Sequence, residues 1–146
     1  MNETKSIGVG LIGYGFAGKT FHAPLIRAVE GLTLTGIASS DAAKVRKDFP
    51  GMQVFDSPAA MIAEPGIELI VIATPNDSHA PLARAALLAG KHAVIDKPFT
   101  LDMAEARDLI GGRLQGKVRR VVSEIEEEWF VGGARIIHEL DGVIRP

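Results

Sequence analysis

The chain contains no cysteine among its 146 residues. Disulfides, thiolate nucleophiles, cysteine-ligated zinc and iron–sulfur clusters are therefore excluded. It also lacks an excess of charge of either sign, since 16 Lys and Arg stand against 18 Asp and Glu for a formal net charge of -2. Nucleic-acid-binding domains show clustered basic residues, so no nucleic acid is expected as a partner. No apolar run approaches the roughly 20 residues that a membrane helix needs. The N-terminal stretch MNETKSIGVGLIG is short and glycine-rich, and it continues into Tyr14 and Gly15 without a cleavage pattern. No membrane partner is expected, and the cytoplasm is the expected compartment. Neither H-E-x-x-H nor a close histidine pair occurs, so no metal site is expected. Internal repeats, low-complexity tracts and Pro/Ser linkers are absent as well.

What remains is the composition of an ordinary globular domain, 47% apolar and 23% charged, with enough apolar surface for one core. Short apolar runs fall at residues 7–12, 32–38, 53–55, 69–73 and 92–95. Between them lie helical patterns at 19–29, 41–48, 58–63 and 79–89, with apolar residues at three- and four-residue spacing and Asp41 and Ser57 as caps near two of the starts. The run from Leu69 to Ala73 is apolar throughout, as suits a strand covered on both faces. This rhythm predicts an α/β fold, a doubly wound parallel sheet of the Rossmann type.

Gly13, Gly15 and Gly18 form a G-x-G-x-x-G directly after the first apolar run and at the start of a helical pattern. Such a triplet is weak alone, and its place in a βαβ unit of about thirty residues gives it weight. There Gly13 permits the tight turn, Gly15 admits a pyrophosphate, and Gly18 lets helix and strand pack closely. Amides at the helix start, at Phe16 and Ala17, would hold the phosphates. No Walker A pattern is present. The alternative is that the glycines serve turns and packing alone.

The choice of dinucleotide rests on the tip of the second strand, where an NAD site usually offers an acidic residue about twenty residues past the loop. Here the chain reads Ser39-Ser40-Asp41, and Asp41 is better placed as the cap of the next helix. Ser39 and Ser40, with Lys44 and Arg46 one turn on, suit a 2′-phosphate. NADP is the expected cofactor, with NAD open if Asp41 instead binds the ribose.

The stretch Gly13 to Pro24, the segment Ala73-Thr74-Pro75-Asn76-Asp77-Ser78-His79 and the segment Asp96-Lys97-Pro98-Phe99-Thr100 resemble the N-terminal domain of the glucose-fructose oxidoreductase / inositol dehydrogenase / MocA family. Three motifs in the same order make the resemblance specific, and it covers roughly residues 5 to 112. Within the family the wording is nearest to NADP-dependent scyllo-inositol dehydrogenases. The resemblance implies hydride transfer to or from a polyol or sugar hydroxyl. It also implies that Thr74, Pro75 and Asn76 line the cofactor, and that Lys97 matches the lysine of a Glu-Lys-Pro motif, with Asp96 replacing Glu. Independently of it, an ammonium at the carboxyl end of a parallel strand can hydrogen-bond a substrate oxygen during hydride transfer. Asp96 would orient Lys97, and Pro98 fixes the backbone beyond, through a bond that is usually trans and occasionally cis.

His22 and His79 fall near helix starts on the cofactor side. Each either borders the nicotinamide, His79 then counting among the cofactor contacts, or simply bonds local backbone. His92 and His138 read as structural. The last third is less familiar. Members of the family carry a second domain with an Asp-x-x-x-His pair, and no Asp here stands four residues before a His. The expected division is a dinucleotide-binding domain over 1–115 and the remnant or start of an α+β substrate domain over 116–146. In it 116–126 reads as an opening strand, and the sixth Rossmann strand expected after Leu109 and Ile110 is missing or replaced. The strand-like stretch from Val118 to Ile125 would be free to pair with a second copy in a homo-oligomer. The acidic run Glu124 to Glu128 reads as a solvated face. Two functional classes follow: an NADP-dependent oxidoreductase represented mainly by its cofactor-binding domain, with independent turnover doubtful, or a dinucleotide-binding or sensing module without catalysis.

Overall fold

The computed structural model describes residues 6–110, 121–123 and 137–138. Seven strands, β1 (Ile7–Ile12), β2 (Leu32–Ala38), β3 (Gln53–Phe55), β4 (Leu69–Ile72), β5 (His92–Ile95), β6 (Val121–Ser123) and β7 (Ile137–His138), form one sheet in the order β3-β2-β1-β4-β5-β6-β7. The first six run parallel and β7 is antiparallel to β6. The helices are α1 (Ala23–Ala28), α2 (Ala42–Asp48), α3 (Pro58–Ile62), α4 (His79–Leu88) and α5 (Met103–Ile110). Strand order reverses between β1 and β4, and such a switch point opens a ligand crevice at the carboxyl ends of the strands. The doubly wound sheet is thus the fold that the apolar rhythm predicts. Among the described residues no helix is long and apolar enough to cross a membrane.

Alternation along the strands feeds two cores. Ile70 and Ile72 of β4 enter the layer under α3, α4 and α5, with Met61, Ala83, Leu87 and Leu109. Val71, one residue away and on the opposite face, joins Val9, Leu11, Ile26, Ile37 and Val45 under α1 and α2. A strand covered on both faces can be apolar at every position, which is why β4 shows no polar alternation.

Local signals set the element ends. The Asp41 carboxylate accepts a hydrogen bond from the Lys44 amide at 2.9 Å, and Ser57 Oγ accepts one from the Ala60 amide at 3.2 Å, so both residues are N-caps. Asp102 accepts from the Ala104 and Glu105 amides while Glu105 accepts from the Leu101 amide, closing the start of α5 reciprocally. Gly31 and Gly90, each just before a strand, hold φ of 84° and 76°, which L side chains rarely adopt. The first helical segment differs from a plain α-helix. Residues 16–28 are helical, and Gly18–His22 is a π turn leading into α1. The Lys97-Pro98 peptide is cis.

Two expectations about the tail are corrected. Val121–Ser123 does not open a second sheet but pairs in parallel with β5, so a sixth Rossmann strand is present. That strand is not an open edge for a second copy either, because β7 takes its other side. Glu124 to Glu128 lie outside the described residues.

Burial sets the cost of truncation. Ile70 is wholly buried whereas Ile7, at the entry of β1, is 40% exposed. Ile70→Ala should lower stability by about 2 to 5 kcal/mol and Ile7→Ala by well under half of that. Urea unfolding midpoints at constant slope measure both; equal losses would contradict the two-faced core.

Candidate functional site

The loop after β1 is pinned from both neighbouring strands. The Gly13 amide donates to the Ala38 carbonyl at the end of β2 (2.9 Å), and the Ala73 amide donates to the Ile12 carbonyl (2.8 Å). Gly13 has φ 97°, and a Cβ there would strike the Ala73 carbonyl oxygen. A Cβ on Gly18 would strike the Gly13 carbonyl oxygen, so loop and helix touch backbone to backbone at that point. Gly15 is different. A Cβ there meets nothing within 4 Å, so the protein leaves that space open. The helix begins immediately afterwards, at residue 16, and its first amides have no partner within the helix. The three glycines thus hold three separate stations, a turn, an open approach and a close packing, and the open one faces a cleft.

That cleft has a volume of about 520 Å³ and runs along the carboxyl ends of β2, β1 and β4. Gly13, Tyr14 and Gly15 form its middle, Ser39, Ser40, Asp41 and Lys44 one side, and Thr74 and Pro75 the other. Asp56, Ser57 and Pro58 from the tip of β3 complete the β2 side. Sequence reasoning missed these three as site residues, because nothing short of the sheet order brings β3 beside β2. Ser39 Oγ accepts from the Asp41 amide at 3.1 Å and so shapes the turn. Lys44 lines the cleft, whereas Arg46, the second cation expected there, does not.

Tyr14 is a further residue that sequence reasoning did not single out for function. It is buried, its hydroxyl donates to Asp48 Oδ2 (3.0 Å), and its carbonyl accepts from Lys44 Nζ (2.9 Å). Lys19 Nζ lies 2.7 Å from the same Asp48 oxygen. One buried ring therefore ties the glycine loop to α2, and a lysine from the following helix closes the tie. Burial first, and the Asp48 carboxylate second, push the Tyr14 hydroxyl up to about 12. The hydrogen bond from Lys19, then that from Tyr14, hold the Asp48 carboxyl below the usual carboxylate range.

On the far side of the cleft, Ser78 Oγ donates to the Pro75 carbonyl (2.6 Å), which leaves Thr74 Oγ1 as the donor in its 2.6 Å contact with Ser78 Oγ. Asn76 is exposed in the 3₁₀ turn Asn76–Ser78 and is not part of the cleft lining. Lys97 is exposed at the tip of β5, and Asp96 Oδ1 accepts from its amide at 3.0 Å. Asp96 Oδ2 lies 3.6 Å from His22 Nε2. Asp96 thus meets both the Lys97 backbone amide and the His22 ring. For His79 the expected ligand contact is corrected. The ring is wholly buried, with both nitrogens against backbone carbonyls, so it has no surface to offer a cofactor.

This geometry, a glycine loop opening on a cleft at the switch point of a parallel sheet, has a counterpart in known proteins. Residues 7–119 match the model of the GFO/IDH/MocA oxidoreductase family, described as an NAD-binding Rossmann fold. The chain belongs to that family. It is similar to the uncharacterized oxidoreductase YdgJ of Escherichia coli, 57% identical over 104 residues, covering 71% of this chain and 30% of the relative. It is also similar to the scyllo-inositol 2-dehydrogenase (NADP(+)) IolW of Bacillus subtilis, 35% identical over 107 residues, covering 73% and 30%. Among solved structures, biliverdin reductase from Synechocystis, in complex with biliverdin and NADP+, superposes with a TM-score of 0.71 at 34% identity, covering 81% of this chain and 37% of that one. The chain spans about 30% of the length of the two curated relatives. The matched part is the family's NAD-binding Rossmann domain.

The Tyr14–Asp48–Lys19 tie predicts how stability depends on pH. Asp48, lowered in the folded state, contributes fully above its ordinary value of 3.8, and the contribution fades as pH falls through the folded value. Tyr14, raised in the folded state, contributes fully below its ordinary value of 10.0, and this is lost as pH rises toward about 12. Chemical unfolding across pH should show Asp48→Asn losing part of the acid-side dependence and Tyr14→Phe part of the alkaline-side dependence. Unaltered pH profiles in both variants would contradict the tie.

Proposed function

We propose that this domain binds NADP(H) across the carboxyl edge of the sheet and serves hydride transfer to or from a polyol or sugar hydroxyl. The observation that carries the reading is the open station at Gly15, flanked by Gly13 and Gly18 where backbone leaves no room. A pyrophosphate needs such an opening beside the first amides of a helix. Ser39 and Ser57 on the β2 side would hold the adenosine half, and Thr74 on the β4 side would hold the nicotinamide half.

The preference for NADP is supported by the division of labour at the β2 tip. The Asp41 carboxylate is engaged in capping α2, and the Ser39 and Ser40 hydroxyls with the Lys44 ammonium line the same part of the cleft. An ammonium carries three donors, so Lys44 can hold the Tyr14 carbonyl and still meet a phosphate. The name of the Bacillus subtilis relative, an NADP(+) dehydrogenase of scyllo-inositol, agrees with both cofactor and substrate class. When bound, the nicotinamide supplies or accepts the hydride. Lys97 donates a hydrogen bond to the substrate oxygen at the strand tip, and Asp96 holds the Lys97 backbone in place.

Calorimetric titration tests the reading. Wild type should bind NADP at least about tenfold tighter than NAD, a difference of about 1.4 kcal/mol, Ser39→Asp should reverse the order, and Gly15→Val should bind neither. Equal affinity of wild type and Gly15→Val would remove the phosphate cradle, and tighter binding of NAD by wild type would remove the assignment of the β2 tip.

A further inference from the structure

His79 is the first residue of α4 and the one polar side chain among the described residues that is fully buried. Its Nε2 lies 2.9 Å from the Thr74 carbonyl and its Nδ1 lies 2.7 Å from the Pro98 carbonyl. Both partners are acceptors, and they belong to different loops. Thr74 follows β4 and lines the cleft; Pro98 follows β5 and comes directly after Lys97. The ring donates to one of the two carbonyls when neutral and to both when doubly protonated. Burying a polar ring is unfavourable unless its bonds are made, so the position is specified on both sides. No other natural side chain places two ring nitrogens on opposite edges of a rigid plane. An amide offers donors from one nitrogen alone.

From this juxtaposition the geometry points to His79 as a positioning residue that couples the nicotinamide half of the cleft to Lys97. The inference rests on the dinucleotide reading given above and goes beyond it. The Thr74 loop is braced by the chain of hydroxyls from Thr74 through Ser78 to the Pro75 carbonyl. The Thr74 carbonyl of the same loop lies against His79. A group that seats against Thr74 therefore pushes on a carbonyl whose partner ring also holds Pro98, and the next residue back along the chain is Lys97. Lysine is a flexible point donor, and a displacement of about 1 Å in a positioned group can cost about a hundredfold in rate. Setting the backbone of Lys97 by whether the cofactor is seated is a function that core packing alone does not provide.

A residue that merely supports the fold would weaken every ligand alike, and that difference makes the proposal testable. Binding of NADPH and of 2′-phospho-ADP-ribose, which lacks the nicotinamide, should be measured by calorimetry on wild type and His79→Gln. The expected result is about a tenfold loss for NADPH, with 2′-phospho-ADP-ribose changed by less than about twofold. Equal losses for both ligands, or no loss for NADPH, would overturn the coupling. A wild type that binds neither ligand would instead overturn the dinucleotide reading itself. Should His79→Gln fail to fold, amide hydrogen exchange on wild type decides. NADPH, and not 2′-phospho-ADP-ribose, should slow exchange at Phe99 and Leu101, and the same exchange with either ligand would overturn the proposal.

Discussion

The carboxyl edge of the sheet depends on one close approach, the contact of the Gly18 backbone with the Gly13 carbonyl. Two missing side chains let the helix start where β1 ends. That start places the first turn of the helix directly after β1, next to the switch point where strand order reverses. A methyl group at Gly18 would drive the helix off the strand end, and one at Gly13 would strike the Ala73 carbonyl beyond β4. The openness at Gly15 is the counterpart of this tightness. At Gly13 and Gly18 the missing Cβ permits contact, and at Gly15, where neither a contact nor a positive φ calls for glycine, it leaves space on the cleft.

The surrounding side chains keep the loop from relaxing. Tyr14, between two of the glycines, is fixed by its ring against Phe49, centroids 6.0 Å apart, by its hydroxyl on Asp48 and by its carbonyl on Lys44. A glycine-rich loop loses much conformational entropy on ordering, and a buried tyrosine within it offsets that loss. Lys44 also faces the cleft, so one side chain serves both the loop and the proposed phosphate site. Polar groups held in this way are already oriented before a ligand arrives, which lowers the ordering cost of binding.

Much of this was legible in the sequence, for identifiable reasons. A strand buried on both faces needs an unbroken apolar run, as β4 has, and β1, β2, β3 and β5 begin and end where the runs read from the sequence do. The caps at Asp41 and Ser57 are local, involving an amide three residues on, and could be read directly. The glycine spacing carried its own context. What could not be read depends on partners distant in sequence and neighbours set by topology. Tyr14 meets Asp48 34 residues away, and His79 meets Pro98 19 residues away. Asp56 reaches the cleft because β3 lies beside β2. The sixth strand was misassigned because Val121–Ser123 is short, and its pairing with β5 has no local signature.

In the proposed function the loop from Gly13 to Gly15 anchors a dinucleotide, with its two halves on opposite sides of β1. Amide chemical shifts of the labelled chain, followed through titration with NADP+, test it most directly. Large, saturating shifts are expected at Gly15, Phe16 and Ala17, accompanied by Ser39 and Ser40 on one side and Thr74 on the other, with the β1 interior unmoved. Saturating shifts that leave Gly15 to Ala17 unchanged, or that cluster away from the carboxyl edge of the sheet, would contradict it.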